Sequence, residues 1–441
     1  MMSYSAFLKE KLLSLIREME PYRWLFTRSP EKDFSRVRKW SFSEVMRFII
    51  SMEGKSLKDE LWEYFDFSME TPSNSSFNQR RAQILPEAFE FLFREFSNIV
   101  PGEKKYRGYR LLACDGSDLN IAHNPQDKST YFQSTPDSKG FNLMHLNALY
   151  DLLNRTYADA VIQPSCQQNE YKAMCDMIDR YAGDSKSIFI ADRGYESYNV
   201  FAHVMEKGLF YLIRVKDITG RGIAYSFRSQ FPDGQSSFDK TVSVTLTKKQ
   251  TNAVKAEPDK YRFIPNTSTF DFADLHYHQF YEMQMRIVRF PISEDAYECV
   301  ITNLPAEEFS SADIRELYHL RWGIETSFRE LKYAIGLTHF HSKKTGYITQ
   351  EIWARLILYN FCEAIVTHTV MKQAKRKRKH SYQLNYTHAI HICRFFLSIR
   401  KGALPDVESL IRRELLPVRP GRHDPRKVRF RSAVSFLYRV A

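Results

Sequence analysis

The sequence predicts an α/β protein with a mixed sheet, because strand-like and helix-like patterns alternate through much of the chain. Between residues 108 and 215, short apolar runs alternate with amphipathic segments, as expected for strands that are separated by helices. Two of the runs, LMHLNALYDLL and TYADAVIQ, are joined through LNR and predict an antiparallel hairpin. From about 216 to 296, strand-like runs follow one another without helices, which predicts a β-rich insertion.

The N-terminal residues 1–105 are predicted to form a helical region. FSEVMRFIISM follows a candidate N-cap at Ser41, and Pro86 stands at the start of a second helix, where its missing N–H costs nothing. Between these segments, SNSSFNQRRAQ predicts a short helix that carries Arg80 and Arg81. That helix is either a DNA-contacting element or a solvated helix face.

The remaining chain divides into four predicted segments. Residues 106–215 form the first part of the α/β core, and 216–296 form the β-rich insertion. Residues 297–345 complete the core with a strand and a long helix from about Ser311 to Ile335. Residues 346–441 begin with a second apolar helix and continue into a helical, basic C-terminal region.

Composition and charge exclude several classes of protein. Hydrophobic residues make up 43% of the chain, which excludes a largely disordered one. The formal net charge is +12, and from Met371 to the end the chain has 18 Lys and Arg against 4 Asp and Glu, so a polyanionic partner is expected there. Six cysteines without a C-x-x-C pair indicate reduced, mostly buried thiols. The absence of a signal peptide core or membrane span predicts a protein of the cytosol.

Acidic residues follow two of the predicted core strands. YRLLACD predicts a strand that ends at Asp115, and SIFIADRGY predicts one that ends at Asp192. Active sites of α/β sheets gather at strand ends, where loops expose the backbone to a ligand. A single acid in such a position is often a turn former or a helix cap, so the interpretation depends on a third partner.

The third acid is predicted on the helix YHLRWGIETSFRELK. At 100° per residue, Tyr318, Arg321, Trp322, Glu325 and Lys332 fall on one stripe about 100° wide. The alternative is an exposed face crossed by ion pairs between positions i and i+4. A separate apolar stripe is available for packing, formed by Leu317, Leu320, Ile324, Phe328 and Leu331.

Together, the three carboxylates predict a metal site. Asp115, Asp192 and Glu325 would repel one another unless cations neutralise them, and Mg²⁺ or Mn²⁺ prefers such oxygen ligands. Two ions per site are expected, as in other enzymes that cleave phosphodiesters. Arg321 and Lys332 would then hold DNA phosphates.

The two aromatic side chains of the same helix have less specific predictions. Tyr318 is a candidate donor to a phosphate oxygen. Trp322 is a candidate for stacking on a displaced base, with packing as the alternative.

The pattern Y-x2-R-x3-E-x6-K, preceded by DGS and DRGY at strand ends, resembles bacterial DDE transposases of the insertion-sequence-four group, relatives of the transposon-five transposase. The resemblance covers about residues 108–345 and implies an RNase H-like catalytic core with a β-strand insertion before the glutamate. It also implies that Asp115, Asp192 and Glu325 are the catalytic, metal-binding triad. The positions that hold phosphates of the transposon end would be Tyr318, Arg321 and Lys332.

The resemblance implies a function as well. The enzyme would cleave DNA at transposon ends and transfer the strands into target DNA by a metal-dependent cut-and-paste mechanism in the bacterial cytosol or nucleoid. Its partners would be double-stranded terminal inverted repeats, target DNA and a second copy of the chain, without a membrane. Residues 1–105 would recognise the DNA end, and 346–441 would serve dimerisation, DNA contact or both. The alternatives are a nuclease that does not join strands and a non-catalytic, domesticated DNA-binding protein.

Other charged residues near the motifs are predicted to have no catalytic role. Asp118 is expected to form a turn or cap, and Glu196 is expected to be structural. Glu330 points to a different helix face from Glu325. His339 and His341 lack further ligands at zinc spacing.

Overall fold

The computed structural model describes residues 2–417, except 37–38, 101, 134, 138, 184, 232–236, 295, 372–381 and 401. Of the basic C-terminal region predicted above, residues 372–381, 401 and 418–441 lie outside the described residues. Among the helices of the described ranges, none combines the length and hydropathy that crossing a bilayer requires.

The described residues of the N-terminal region form five α-helices. They are α1 (Tyr4–Met19), α2 (Phe42–Ser51), α3 (Leu57–Tyr64), α4 (Asn74–Arg81) and α5 (Pro86–Ile99). The Ser41 side chain accepts a hydrogen bond from the backbone N–H of Glu44 and caps α2, and Pro86 occupies the first turn of α5. Local capping signals therefore determine where these helices begin.

The short helix α4 does not offer both of its arginines to solvent. The guanidinium of Arg81 is buried, lies 2.9 Å from Glu351 and donates to the backbone oxygen of Tyr347 at 2.6 Å. Arg81 is therefore available neither for contact with DNA nor as part of a solvated helix face, so both interpretations of this helix are wrong for Arg81. Arg80, which is half-buried, donates to Gln83 Oε1 at 3.0 Å.

A mixed ten-stranded sheet forms the centre of the molecule and confirms the predicted α/β class. Its strands are β1 (Arg110–Ile121), β2 (Tyr131–Phe132), β3 (Phe141–Asp151), β4 (Thr156–Pro164), β5 (Ser187–Ala191), β6 (Phe210–Val215), β7 (Phe238–Thr247), β8 (Tyr261–Phe263), β9 (Phe280–Pro291) and β10 (Tyr297–Thr302). They are ordered β2-β3-β1-β5-β6-β10-β9-β7-β8, with β4 also paired to β3. The predicted hairpin is the antiparallel pair β3–β4. Strands β1, β5 and β6 run parallel to one another.

Strand β1 is longer than predicted. It continues past Asp115 to Ile121, because β3 pairs with it antiparallel from Leu112 to Ile121. The parallel pairing with β5 ends earlier, at Cys114 opposite Ala191. Asp115 therefore lies where β1 separates from β5, in the middle of a strand.

The insertion from 216 to 296 extends the main sheet. Strand β9 pairs antiparallel with both β10 and β7, and β8 pairs parallel with β7. Two buried arginines form ion pairs within the insertion. Arg286 pairs with Asp239, and Arg289 pairs with Asp217 at 2.7 Å. A short helix, α8 (Asn252–Ala256), lies between β7 and β8.

Two helices connect the core strands, α6 (Glu170–Arg180) before β5 and α7 (Tyr198–Glu206) before β6. After β10, the segment that was predicted as one long helix is divided. It consists of α9 (Ser311–Leu320), α10 (Trp322–Arg329) and a π-helical turn from Glu330 to Ala334.

The division of this segment has a backbone cause. The N–H of Ile324 bonds to the carbonyl oxygen of Arg321, three residues back, so the chain tightens there. The N–H of Ile335 bonds to the carbonyl oxygen of Glu330, five residues back, so the chain widens there. A constant 100° per residue therefore does not describe this motif.

The C-terminal helices pack on the N-terminal ones. They are α11 (Thr345–Met371), α12 (Tyr386–Ser398) and α13 (Val407–Arg413), with a two-stranded sheet of β11 (Tyr382–Leu384) and β12 (Leu415–Pro417) beside them. One hydrophobic core joins α1, α2 and α5 to α11, α12 and the face of the sheet that carries Ala113 and Tyr157. The predicted region 1–105 thus shares its core with the catalytic segment.

Candidate active site

The two aspartates are neighbours at the point where β1 and β5 separate. Each follows the last parallel pair, Cys114 opposite Ala191, by one residue. Asp115 Oδ1 accepts the N–H of Gly116 at 2.9 Å. Asp192 Oδ1 accepts the N–H of Gly194 at 2.7 Å and caps the 3₁₀ turn Arg193–Tyr195. Sequence patterns alone predicted that these acids come together.

Glu325, in the first turn of α10, joins them through an arginine. Arg321 donates from Nη2 to Glu325 Oε1 at 2.9 Å, and its Nη1 lies 3.8 Å from Asp115 Oδ2. The guanidinium is buried and lies 5.3 Å from the ring of Trp322. Arg321 therefore bridges two of the three acids.

The electrostatics of Asp115 show that the three acids influence one another. Burial raises the pKa of Asp115 to about 6, and the charges of Asp192 and Glu325 add to this rise. The N–H of Gly116 and the Arg321 guanidinium act in the opposite direction. The site thus has an excess of negative charge that a cation would relieve.

The three carboxylates provide oxygen ligands of the kind that a divalent cation prefers. Carboxylates of this kind suit Mg²⁺ or Mn²⁺. In the described ranges, no three His, Cys, Asp or Glu side chains are close enough to form a ready-made metal cage. Arg321 supplies the positive charge between Asp115 and Glu325.

Tyr318 and Trp322 differ sharply in exposure, although they were predicted on one stripe. Tyr318 packs in the core beside Ile314 and Leu317, and Trp322 is 54% exposed. The hydroxyl of Tyr318 has no hydrogen-bond partner in the part of the chain that the structure describes. Both aromatic residues line a cleft of about 720 Å³ together with Arg214, Glu298, Arg315 and Arg321.

Lys332 lies apart from the bridged acids. Because it belongs to the π-helical turn, its side chain reaches β1, where Nζ donates to the carbonyl oxygen of Asp118 at 2.8 Å. The predicted motif therefore contributes residues to two places. Arg321 and Glu325 lie beside Asp115, whereas Lys332 contacts Asp118, three residues further along β1.

The structure also brings together a second group of charged side chains, which the sequence did not predict. It consists of Asp118, His145 and Glu170. His145 Nδ1 lies 2.8 Å from Asp118 Oδ1, and His145 Nε2 lies 3.1 Å from Glu170 Oε1. Asp118 is thus a strand residue with a histidine partner, and the prediction that it forms a turn or cap was wrong. The available signal was a histidine within an apolar run that was predicted as a strand of the hairpin.

The other residues that were set aside have structural partners. Glu196 accepts the N–H of Lys216 at 2.9 Å, and Glu330 pairs with Arg155 at 3.0 Å, so both predictions are confirmed. His341 is buried between Glu351 and Glu60. Among the described cysteines, five are buried, Cys166 is exposed and all are free thiols, as expected.

Comparison with known families decides the identity of the core. Residues 106–361 match the family model of the transposase DDE domain. The chain belongs to the DDE transposase family. This DDE domain includes the three acids, the whole insertion and most of α11.

Individual relatives of the DDE domain are distant. Transposase InsG of insertion sequence element IS4 from Escherichia coli (strain K12) is 28% identical over 137 residues, which are 29% of this chain and 30% of that protein. The chain therefore matches about a third of that relative's length. A cryo-EM structure of the piggyBac transposase synaptic complex with hairpin DNA covers 94% of this chain and 84% of its own, with 11% identity and a TM-score of 0.46.

Proposed function

We propose that this chain is a DNA transposase that cleaves the ends of an insertion sequence and joins them to target DNA. The observation that carries the proposal is the grouping of Asp115, Asp192 and Glu325, which lies inside the DDE domain. These three acids are proposed as the catalytic, metal-binding triad. Two Mg²⁺ or Mn²⁺ ions would activate the attacking oxygen and stabilise the leaving one.

The residues around the triad have proposed roles toward DNA. Arg321 neutralises Asp115 and Glu325 before DNA arrives, and its planar guanidinium suits a backbone phosphate. Lys332 contributes a positive charge beside β1. Tyr318 contributes a buried hydroxyl at the cleft, and exposed Trp322 offers a surface for a base.

The finer assignment is to the insertion-sequence-four group, with its Y-R-E-K signature and its relation to the transposon-five transposase. The partial match to InsG supports this assignment. An RNase H-like core, interrupted by residues 216–296, is proposed with it, and the mixed sheet around β1 and β5 is consistent with such a core. Residues 1–105 are proposed to recognise the terminal inverted repeats, and 346–441 to contribute to DNA contact and a homodimer.

The test uses DNA that carries the element's own termini, incubated with the full-length chain and Mg²⁺. We expect cleavage at the ends followed by joining to a target plasmid. Asp192→Ala and Glu325→Ala should each abolish both products while the protein still binds the ends. As a matched control, Asp176→Ala removes an exposed acid of α6 and should leave both products unchanged.

Three outcomes would contradict the proposal. Cleavage that survives Asp192→Ala or Glu325→Ala would remove the metal assignment. Cleavage without joining would support a nuclease. Binding without cleavage by the unaltered chain would support a non-catalytic DNA-binding protein.

A further inference from the structure

We propose that Glu170 is a fourth carboxylate of the catalytic centre, held in place by His145, and that it contributes to binding the divalent ion. This inference rests on the proposed function, because it adds a residue to the same site. Glu170 is the first residue of α6, a helix that precedes β5 and carries none of the three acids of the triad.

The Glu170 side chain lies close to the backbone that directly follows Asp115. A methyl group added to Gly116 would lie 2.5 Å from His145 Nε2 and 2.8 Å from Glu170 Oε1. Such distances are closer than real contacts, so a larger residue at this position would push the His145 and Glu170 side chains aside. Glu170 is therefore packed directly against the residue that follows Asp115.

The same carboxylate also reaches the turn that follows Asp192. A methyl group added to Gly194 would lie 3.0 Å from Asp192 Oδ1 and 3.6 Å from Glu170 Oε2. Oxygens of two acids thus lie within 4 Å of one point beside Gly194. The Glu170 carboxylate spans the backbone from one aspartate loop to the other.

The two oxygens of Glu170 have different surroundings. Oε1 lies 3.1 Å from His145 Nε2, and Oε2 faces the Asp192 turn. His145 is buried and is held from its other side by Asp118. His145 therefore lies against one oxygen of Glu170, and the second oxygen is directed to the Asp192 turn.

The Glu170 side chain is 33% exposed, so a hydrated ion can reach it. A purely structural ion pair with His145 would not require the second oxygen to lie beside Asp192.

The test measures binding of Mn²⁺ alone to the full-length chain by electron paramagnetic resonance. Glu170→Gln keeps the shape of the side chain and removes its charge, and we expect about a tenfold loss of Mn²⁺ affinity. The Mg²⁺ concentration for half-maximal end cleavage should rise by a similar factor. His145→Gln should lower the Mn²⁺ affinity and raise the Mg²⁺ concentration for half-maximal cleavage, each by about threefold. The effect is smaller because His145 acts only by positioning Glu170.

The matched control is Asp176→Asn, which removes the same charge from the same helix but at an exposed ion pair with Lys172. It should leave Mn²⁺ affinity unchanged. If Glu170→Gln lowers the melting temperature, Glu170→Asp replaces it, because it keeps the charge and withdraws the carboxylate by one methylene. Glu170→Asp should also weaken Mn²⁺ binding.

The outcomes separate this inference from the proposed function. Wild-type Mn²⁺ affinity in Glu170→Gln, with a loss in Asp192→Asn, would overturn the fourth carboxylate and leave the triad intact. An equal loss in Asp176→Asn would overturn it too, since the effect would be one of general charge. Unchanged Mn²⁺ binding and cleavage in Asp192→Asn would remove the proposed metal site itself.

Discussion

At the scale of single residues, Arg321 has two competing sets of partners. In the DNA-free chain it bridges Asp115 and Glu325, and in the proposed function it holds a phosphate. A guanidinium and a divalent ion would both neutralise the same carboxylates. The arginine must therefore release part of this contact when metal and DNA bind.

A test of that competition is Arg321→Gln. Removing a positive charge a few ångströms from two carboxylates should strengthen Mn²⁺ binding to the DNA-free chain by about tenfold or more. Binding to transposon ends should weaken in the same variant, because a phosphate contact is lost. Calorimetric titration of Mn²⁺ and a gel-shift assay measure the two effects. Lys172→Gln, which loses the same charge on α6, should change neither; weaker Mn²⁺ binding in Arg321→Gln would contradict the bridge.

The triad could be predicted from sequence because its signals are local. Asp115 and Asp192 each end an apolar run, and Glu325 belongs to a spaced motif. His145 and Glu170 could not be predicted in the same way. Strand pairing brings His145 to Asp118, and the placement of α6 brings Glu170 to His145, and no spacing along the chain indicates these contacts.

At the scale of elements, α4 shows how a long-range partner reverses an interpretation. QRR in a polar helix indicates an exposed basic face, but Glu351 lies 270 positions further along the chain and buries one arginine. The predicted helix exists, and what differs is the direction in which Arg81 points.

We expect Arg81→Met to lower the free energy of unfolding by about 3–5 kcal/mol, because it leaves Glu351 buried with one fewer cation. Arg80→Met in the same helix should cost no more than about 1 kcal/mol, since Arg80 is half-buried and its contacts lie near the surface. Urea unfolding of the two variants measures the difference. Similar costs for both would contradict the assigned burial.

The ion pairs around His341 make the attachment of α11 dependent on pH. Burial lowers the pKa of His341, but its bonds to Glu351 and Glu60 raise it above the ordinary value of 6.5. A raised histidine pKa stabilises the fold below pH 6.5, and this contribution is lost as the pH rises through the folded-state pKa. Burial raises the pKa of Glu351, whereas Arg81 and His341 lower it to about 2, so its contribution is present above pH 4.5 and is lost in acid.

His341→Gln should therefore destabilise the chain most between about pH 4.5 and 6.5, by about 3 kcal/mol. The difference from the unaltered protein should shrink as the pH rises further. Melting temperatures of both proteins at pH 5.5, 7 and 8.5 measure it. A difference that is constant across this range would show that the pKa of His341 is not raised in the fold.

At the scale of the whole molecule, the alternation of patterns predicted the α/β class and the hairpin β3–β4. It did not predict that β7, β8 and β9 extend the main sheet, since strand partners depend on contacts between distant segments. The sequence pattern also predicted a single helix from about Ser311 to Ile335. Hydrogen bonds at Arg321 and Glu330 divide that segment, and residue types do not encode them.

The basic C-terminal region is expected to bind DNA without sequence preference. Residues 418–441 contain seven Lys and Arg and one Asp. Ending the chain after Pro417 should reduce the slope of log affinity against log salt concentration by up to about 6. Affinities for a terminal repeat and for unrelated DNA, measured across a salt series, should fall by the same factor. An unchanged slope would show that this region makes no phosphate contact.

The shared core also constrains how such a protein acquires new DNA targets. Phe93 of α5 lies 5.3 Å, ring to ring, from Trp353 of α11, so the N-terminal helices cannot be exchanged at residue 105 without exposing both. A chimaera of two relatives would have to carry α11 with the N-terminal segment, and α11 contacts the catalytic sheet at β4. Exchanging the N-terminal helices, which are proposed to recognise the DNA ends, is therefore a poor evolutionary or engineering route for this architecture. New target preference would arise more readily from surface substitutions that leave this interface unchanged.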